Sequence, residues 1–329
     1  MKMIKQTYRD ALRDGMSEEM RRNEEVYLIG EEVAEYQGAY KCSAGMLQEF
    51  GEKRVIDSPI TELGFTGLAV GSAFMGMRPI VEYMSWSFAL LSSDQIMNSA
   101  AKTYYMSGGK VACPIVFRGI NGLGKMVAAQ HSHDYTNMYA NCPGLKVVCP
   151  VTPADAKGLI KASVRDNAPV LIMENERLYG MEGDVPVGDD IITPIGKARI
   201  VKEGADITLI GYSMSVLECE RAAELLEKEG IDAEVIDLRS IRPLDKAAIA
   251  KSIKKTNRAI VVEEGYSFAG IASEVMAVIS EQSFDDLDAP VKRLSLADIP
   301  IPYANKLEQA SIAKAEDIVR AAKEICCKA

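Results

Sequence analysis

The sequence predicts an α/β protein of two domains, each with a mainly parallel sheet flanked by helices. Short, nearly continuous apolar runs recur along the chain, as expected for strands that are buried on both faces. Helical stretches lie between these runs, and the alternation of strand, helix and strand indicates a parallel sheet. At 329 residues the chain exceeds a single ordinary hydrophobic core, so we expect two domains.

The first predicted domain covers residues 1–187. Its apolar runs, which we assign to strands, are 26–29, 79–81, 115–117, 146–149 and 170–173. Helices are expected at about 64–77, 91–106 and 153–165, the last entered through Thr152 as cap and Pro153 in the first turn. A further short strand ends before Pro59, which places Glu62 in the first turn of a helix rich in small residues.

The second predicted domain covers residues 188–329. Residues 181–197 are rich in Gly, Pro and Asp and interrupt the periodicity, so we place the boundary near residue 187. Beyond it, apolar runs at 207–210, 235–238 and 259–262 alternate with a helix at about 215–229 that closes at Gly230. In the last helix Ile318, Ala322 and Ile325 share one face, which predicts a stripe that packs on the core.

Composition limits the classes of partner. A formal net charge of −9 argues against a surface for nucleic acid or anionic membranes, so we expect small molecules or proteins as partners. Seven cysteines form no C-x-x-C motif, and an odd number suits reduced thiols. The first residues, MKMIKQ, lack the features of a secretion or transit peptide, which predicts a cytoplasmic chain or a processed organellar one.

One glycine-rich segment resembles a phosphate-binding loop. Residues 119–126, GINGLGKM, match the pattern G-x-x-x-x-G-K but end in Met126. The pattern needs Ser or Thr there because that hydroxyl ligates magnesium. We therefore favour a flexible glycine loop beside a cleft over a nucleotide site that uses Lys125.

Glu62 is a candidate functional acid. A capping box would require Ser or Thr three residues earlier, but that position is Pro59. Two interpretations remain open: a contact with the helix dipole, or a buried acid whose partner is a ligand nitrogen.

Only two histidines occur in the chain, and both lie in the segment AAQHSHDY. Histidine exchanges protons most readily near neutral pH, so His131 and His133 are candidates for proton transfer. The alternative is a solvated loop with two incidental imidazoles.

Several runs resemble a known family. They are GEEVAEYQGAYK, RVIDSPITELGFTGLAVGSA, SAAKTYYMSGG, PIVFRG, AAQHS, CPGLKVVCP and DAKGLIKASVRDNAPV. They resemble the beta subunits of the pyruvate dehydrogenase decarboxylase component, which belong to the thiamine diphosphate-dependent, transketolase-like 2-oxoacid dehydrogenases. The resemblance extends from about Tyr8 to the last helix, and it implies a pyrimidine-binding domain followed by a transketolase C-terminal-like domain.

The resemblance implies roles for four residues. Glu62 matches the glutamate that hydrogen-bonds the aminopyrimidine ring of thiamine diphosphate, and Phe88 and Met84 match positions that line the pyrimidine pocket. His131 matches the histidine that supports proton transfer as the acyl group passes to lipoamide. His133 matches no position with a role, so we expect it to be a solvated loop residue.

Two further features follow from the resemblance. Glu31 resembles an acid in a polar channel that links two active sites of the assembly, although an ordinary first-turn charge fits equally well. Four positions resemble the family's monovalent-cation site, which is built largely from carbonyl oxygens and holds K+: Ile115, Ser163, Asp166 and Ala168.

The chain lacks the Gly-Asp-Gly motif with which thiamine enzymes hold the diphosphate through Mg2+. The resemblance therefore implies an alpha subunit that carries Mg2+, in a heterotetramer of two alpha and two beta subunits. It also implies binding to the peripheral-binding and lipoyl domains of dihydrolipoamide acetyltransferase, with Asp288 and the C-terminal carboxylate as contacts.

The predicted activity is oxidative decarboxylation of pyruvate and reductive acetylation of lipoamide, which feeds acetyl-CoA formation. TYYMSGG and IVFRG favour pyruvate over the alternatives, an acetoin or a branched-chain 2-oxoacid dehydrogenase. From another class, a non-catalytic docking subunit would not depend on Glu62.

Overall fold

The computed structural model describes residues 2–188 and 190–327. They form two compact units: the first runs to Asn121 and resumes over Met138–Ile195, and the second combines Gly122–Asn137 with the chain from Gly196 onwards. We call Gly122–Asn137 the His131 loop. The division thus differs from the boundary expected near residue 187 in two respects, since the His131 loop and the segment before Gly196 change sides.

The segment before Gly196 stays with the first unit because it packs there. Residues Glu182–Pro186 form an edge strand. The chain then passes close to Gly158: a Cβ added to Gly158 would lie 2.7 Å from the Thr193 amide nitrogen. The glycine- and proline-rich segment 181–197 therefore does contain the end of the first unit, but at Ile195 and not near residue 187.

The strands of the first unit are β1 (Met3–Thr7), β2 (Val26–Gly30), β3 (Val55–Asp57), β4 (Arg78–Tyr83), β5 (Val116–Ile120), β6 (Lys146–Val148), β7 (Val170–Glu174) and β8 (Glu182–Pro186). Parallel neighbours follow the order β6-β7-β5-β4-β2-β3, while β1 and β8 pair antiparallel. All residues of β2, β5 and β7 are buried, which confirms the interpretation of the apolar runs.

The helices that begin in this part of the chain are α1 (Tyr8–Arg22), α2 (Met46–Phe50), α3 (Glu62–Phe74), α4 (Trp86–Ala89), α5 (Ala101–Met106), α6 (Thr136–Ala140) and α7 (Pro153–Arg165). As predicted, α7 begins at Pro153, and the Thr152 side chain accepts a hydrogen bond from the Asp155 amide. The single helix expected at 91–106 is wrong: a 3-10 turn and a π-helix, Gln95–Ala100, precede α5. Ser92, whose hydroxyl bonds the Ala89 carbonyl, offers the backbone an alternative to a continuous α-helix.

The second unit contains β9 (Arg199–Lys202), β10 (Ile207–Gly211), β11 (Ala233–Asp237), β12 (Ser240–Arg242), β13 (Ala259–Tyr266) and β14 (Lys292–Leu296). Its helices are α8 (Ser215–Lys228), α9 (Lys246–Thr256), α10 (Ile271–Ser283), α11 (Asn305–Ala310) and α12 (Ala315–Ile325). The sheet order is β14-β13-β10-β11-β9, parallel except for β9.

The core of this unit lies between the sheet and two of its helices. Ile318, Ala322 and Ile325 of α12 are buried together with residues of α8, which confirms the predicted stripe. Gly230 ends α8 with a φ of +72°, in the left-handed region that favours glycine. Within the described residues, no helix is long and apolar enough to cross a membrane.

Candidate active site

Three candidate residues lie at one edge of the first sheet. Glu31 directly follows β2, Glu62 opens α3 shortly after β3, and Met84 directly follows β4. These three strands are parallel neighbours in the order β4-β2-β3, so their carboxyl ends meet at the same edge. Open α/β sheets bind ligands outside the carboxyl ends of their strands, which makes this edge a candidate binding site.

Glu62 is the first residue of α3 and is only 4% exposed. In the described part of the chain, nothing donates a hydrogen bond to its carboxylate or forms an ion pair with it. The helix N-terminus supplies a favourable partial charge, as one of the two interpretations requires. A buried carboxylate with so few partners is costly, however, and this environment suits the second interpretation, an acid that meets a ligand nitrogen.

Glu31 is a second buried acid at the same edge, 8% exposed, and its Oε1 finds no hydrogen-bond donor among the described residues. Burial, and to a smaller extent the negative charge of Glu62, raise the pKa of the Glu31 carboxyl to about 7. The two acids are therefore close enough to repel each other. Such a pair fits a ligand that brings polar nitrogen atoms to this edge.

Met84 and Phe88 flank a packed tryptophan along the chain. Met84 lies in the bend after β4, and Phe88 lies in α4. Trp86, between them, is fully buried, with its ring centroid 5.6 Å from that of Tyr83 and 5.0 Å from that of Tyr139. The packing of Trp86 therefore anchors the chain between Met84 and Phe88.

A buried ionic network lies in the centre of the same sheet. Arg118 of β5 is 1% exposed and donates to both carboxylate oxygens of Glu174, at 2.7 and 2.6 Å, and to Glu82. The Tyr179 hydroxyl donates to Glu174 at 2.7 Å. Burial raises the pKa of the Glu82 carboxyl, although Arg118 opposes that shift. Sequence reasoning missed this network, because the three charges come from three separate strands.

His131 lies in the second unit, at the end of a 3-10 turn, Ala129–His131. Two residues of the His131 loop that are not glycine have left-handed backbone, Met126 with φ +59° and Ala128 with φ +65°. Such conformations cost about 1–3 kcal/mol each and persist only where surrounding contacts impose them. The Ser132 hydroxyl closes the turn with a bond to the Ala128 carbonyl at 2.7 Å.

Contacts with distant residues of the second unit hold the loop. Leu123 packs with Leu296 and Ile301 in a small buried cluster. The Met126 amide donates to the buried carboxylate of Glu308 at 3.2 Å. The segment is therefore anchored to the second unit at Leu123 and at Met126.

His133 is less solvated than expected. Its ring centroid lies 4.6 Å from that of Tyr135 and 5.2 Å from that of Tyr266, so the ring is packed on two tyrosines and half-buried. Burial lowers the pKa of His133, with the nearby Asp134 opposing that shift. Tyr266 is 133 positions away along the chain, and no local pattern could have revealed this contact.

Asp134 is a functional candidate that sequence reasoning missed. It is 4% exposed, and its Oδ2 accepts a hydrogen bond from the Tyr212 hydroxyl at 2.7 Å. Its Oδ1 accepts one from the Thr136 amide at 2.8 Å. An acid in a polar loop gives no sequence signal that it is buried.

The positions proposed for a monovalent cation gather near the start of β5 and β7. The Asp166 amide donates to the Ser163 carbonyl at 3.2 Å, the Ala168 amide to Asp166 Oδ1 at 2.9 Å, and the Val170 amide to the Ile115 carbonyl at 3.0 Å. Each carbonyl oxygen keeps a second lone pair for an ion.

Two cationic side chains also bind in this region. Arg78 donates to the Asp166 carbonyl at 3.1 Å, and Lys146 pairs with the Asp166 carboxylate. Positive charge is thus already supplied at Asp166. The described residues contain no group of three or more His, Cys, Asp or Glu side chains that could hold a metal.

The phosphate-loop resemblance has a structural explanation. Gly119 lies within β5, where an added Cβ would come 2.5 Å from the Tyr83 carbonyl oxygen. The glycine permits close packing of two neighbouring strands, and the pattern does not form one continuous loop.

Comparison with known proteins identifies the family. Residues 4–182 match the transketolase pyrimidine-binding domain, and residues 196–318 match the transketolase C-terminal domain. The chain is 53% identical over 320 residues to the pyruvate dehydrogenase E1 component subunit beta of Rickettsia conorii, covering 97% of this chain and 98% of the relative. This chain belongs to the family of pyruvate dehydrogenase E1 beta subunits.

Two other members of the E1 beta family and one solved structure with the same fold are also similar to this chain. The Rhizobium meliloti subunit is 52% identical over 99% of this chain and 71% of its own length, and the mitochondrial subunit of Caenorhabditis elegans is 52% identical over 97% and 92%. A solved structure titled split gene transketolase, inactive beta4 tetramer, shares the fold, with a TM-score of 0.79 at 22% identity over 97% of this chain and 98% of that one.

Family membership confirms the two-domain α/β prediction. Asp288, the expected partner contact, is an exposed side chain of the second unit that pairs with Arg258 at 2.9 Å. The C-terminal carboxylate lies outside the described residues.

Proposed function

We propose that this chain is the beta subunit of a pyruvate dehydrogenase E1 component. Together with an alpha subunit it decarboxylates pyruvate and transfers the acetyl group to lipoamide on dihydrolipoamide acetyltransferase. One observation carries the proposal: the chain is 53% identical to a subunit of that name along almost the whole length of both chains.

Thiamine diphosphate is the cofactor of this family, and the edge formed by Glu31 and Glu62 fits its pyrimidine ring. When bound, the cofactor supplies a carbon nucleophile and an electron sink for decarboxylation. Glu62 is proposed to hydrogen-bond a ring nitrogen, because it is a buried acid with no described partner. Glu31 is proposed to hold a proton near neutral pH, which its raised pKa of about 7 supports.

Met84 and Phe88 are proposed to line the pyrimidine pocket. The support is their place after the carboxyl end of β4, at the edge where Glu62 lies, and the packed tryptophan between them along the chain.

His131 is proposed to support proton transfer as the acetyl group passes to lipoamide. An imidazole titrates close to neutral pH, and the strained, anchored backbone before it holds the ring in place. The other histidine of the chain, His133, packs against two tyrosines and is assigned no role in the chemistry.

The alpha subunit is proposed to supply the diphosphate half of the site. No Gly-Asp-Gly occurs in this chain, so Mg2+ would be held by alpha, in a heterotetramer of two alpha and two beta subunits. The domain assignment, pyrimidine-binding for residues 1–187 and transketolase C-terminal-like for 188–329, is part of this proposal. The curated relatives include bacterial and mitochondrial chains, and we propose the bacterial cytoplasm or an organellar matrix as location.

Docking on the acetyltransferase is proposed for the second unit. Asp288 is exposed and acidic, which suits the basic face of a peripheral-binding domain, and the lipoyl domain would bring its lipoamide to His131. K+ at Ile115, Ser163, Asp166 and Ala168 is likewise proposed, with the remaining carbonyl lone pairs as its ligands.

Substrate choice is tested by reconstituting the chain with its alpha subunit, thiamine diphosphate and Mg2+. Oxidation of pyruvate, of branched 2-oxoacids and of acetoin by an artificial electron acceptor is then compared; the 2-oxoacids lose carbon dioxide, whereas acetoin is cleaved without decarboxylation. We expect the highest kcat/KM for pyruvate. A higher kcat/KM for acetoin or a branched 2-oxoacid would show that pyruvate is not the substrate. The absence of turnover with all of these compounds would favour a non-catalytic docking subunit.

The half-site proposal is tested by calorimetry with thiamine diphosphate and Mg2+. The beta chain alone should bind weakly, and the reconstituted assembly tightly. Tight Mg2+-dependent binding to the beta chain alone would overturn it. ATP serves as the control for the rejected nucleotide site at Lys125, and no saturable binding is expected.

A further inference from the structure

Asp134 is joined to a fixed point of the second unit. Its partner Tyr212 directly follows β10, and the Tyr212 amide is itself held by the Ser215 hydroxyl at 3.0 Å. The Tyr212 hydroxyl then donates to Asp134 Oδ2 at 2.7 Å. The Tyr212 side chain, at the end of β10, thus binds the His131 loop, although Tyr212 and Asp134 are 78 positions apart along the chain.

The Asp134 carboxylate is closely surrounded on both of its oxygen atoms. An added Cβ on Gly265 would lie 3.3 Å from Asp134 Oδ2 and 3.6 Å from the Tyr212 hydroxyl oxygen. Oδ1 is fixed from within the loop by the Thr136 amide. Both oxygens are therefore constrained, and the carboxylate cannot rotate without breaking a bond.

His131 ends the 3-10 turn and lies three positions before this fixed carboxylate in the same loop. Ser132, one of the two residues between them, is completely buried and its hydroxyl donates to the Ala128 carbonyl. The His131 amide donates to the same carbonyl at 3.3 Å. A shift of Asp134 therefore passes directly to the backbone that carries the imidazole.

We propose that Asp134, held by Tyr212, is a positioning residue for His131. It fixes the backbone from which the imidazole extends, so that the ring meets the acyl-transfer step in one orientation. This proposal rests on the proposed role of His131. Small misplacements of a catalytic group are expensive in rate, so the loss of this contact should reduce acyl transfer.

Tyr212→Phe tests the contact in the reconstituted assembly with thiamine diphosphate and Mg2+. The beta chain contains only two histidines, so labelling them with 13C in beta alone gives two imidazole signals, which His133→Gln assigns. We expect the His131 signal to change its chemical shift. Acetylation of lipoamide should fall roughly tenfold, with an unchanged KM for pyruvate.

Tyr179→Phe is the matched control. It also removes a buried hydroxyl that donates to a carboxylate at 2.7 Å, but this contact belongs to the first unit. It should lower the melting temperature to a similar extent and leave the His131 signal in place. Asp134→Asn provides a second test, and Asp134→Asn combined with Tyr212→Phe should cost no more than the more harmful single change.

An unchanged His131 signal and acetylation rate in Tyr212→Phe would overturn the proposal, even if His131→Ala abolishes acetylation. A similar change of the His131 signal in Tyr179→Phe would also overturn it, because general destabilisation would then explain both. If the His131 signal moves only in Tyr212→Phe but His131→Ala acetylates normally, positioning stands and the proposed role of His131 fails.

Discussion

Glu62 and His131 are placed by the fold in different ways. Glu62 lies where a parallel strand gives way to a helix, so a few neighbouring residues decide its position. The His131 loop is held by residues far along the chain, among them Glu308, which is 182 positions from Met126. A site built on a sheet edge can therefore be read from local sequence, whereas a site on an anchored loop depends on the completed second unit.

The largest expected effect tests whether Glu62, at the sheet edge, differs from an ordinary charge in the first turn of a helix. We predict that Glu62→Gln lowers kcat for pyruvate decarboxylation about 100-fold or more, because the variant retains the shape but loses the charge and proton affinity. The rate with an artificial electron acceptor measures it, and size-exclusion chromatography checks that the assembly persists.

Glu274→Gln is the control for this change, since it removes the first-turn acid of α10. It should alter the rate less than about twofold, as expected for a solvated helix charge. Equal effects of the two substitutions would reduce Glu62 to a dipole contact.

The next effect concerns the loop. His131→Ala should lower the acetylation of lipoamide about 10- to 100-fold, because proton transfer loses its imidazole. Decarboxylation with an artificial acceptor should fall much less, and the ratio of the two rates is the measurement. Parallel losses in both reactions would place His131 at the decarboxylation step instead.

A smaller effect concerns stability at the sheet edge. Because the pKa of Glu31 is raised to about 7 in the folded protein, the folded state binds more protons than the unfolded one, and stability falls as pH rises from about 4.5 through 7. Glu31→Gln removes this loss. The cofactor-free variant should be more stable than the parent by about 1–3 kcal/mol at pH 8, with a smaller difference at pH 5, measured by denaturant unfolding. A constant difference across this range would contradict the raised pKa.

The smallest effect concerns His133. His133→Ala should cost about 1 kcal/mol of stability through the lost ring packing, while His133→Phe should restore most of it. Acetylation of lipoamide should change less than about threefold in both. A large loss of rate in His133→Phe would give this residue a chemical role.

Much of the fold followed from the sequence because its signals are local. Thr152 and Pro153 fixed the start of α7, and the apolar runs located the buried strands. Glu62 in the first turn of α3 was predictable for the same reason. The π-helix before α5 was not, because residues 91–106 read as one helix and show no local signal for the wider turn.

The rest of the candidate site required tertiary contacts. Hydrophobic periodicity does not say which core an irregular loop joins, so the assignment of Gly122–Asn137 to the second unit could not be foreseen. The bond between Asp134 and Tyr212, and the packing of His133 on Tyr266, join residues with no pattern in common. The family resemblance pointed to His131 but offered nothing on what holds it.

The ionic network around Arg118 has a consequence for synthesis of the chain. Arg118 and Glu82 leave the ribosome well before Glu174, which follows Arg118 by 56 residues. Until then the guanidinium lacks the carboxylate that binds it with two hydrogen bonds, and burying it incompletely paired is unfavourable. The centre of the first sheet therefore closes late in translation, after β7 has emerged, and a chain truncated before Glu174 should remain open and dependent on chaperones.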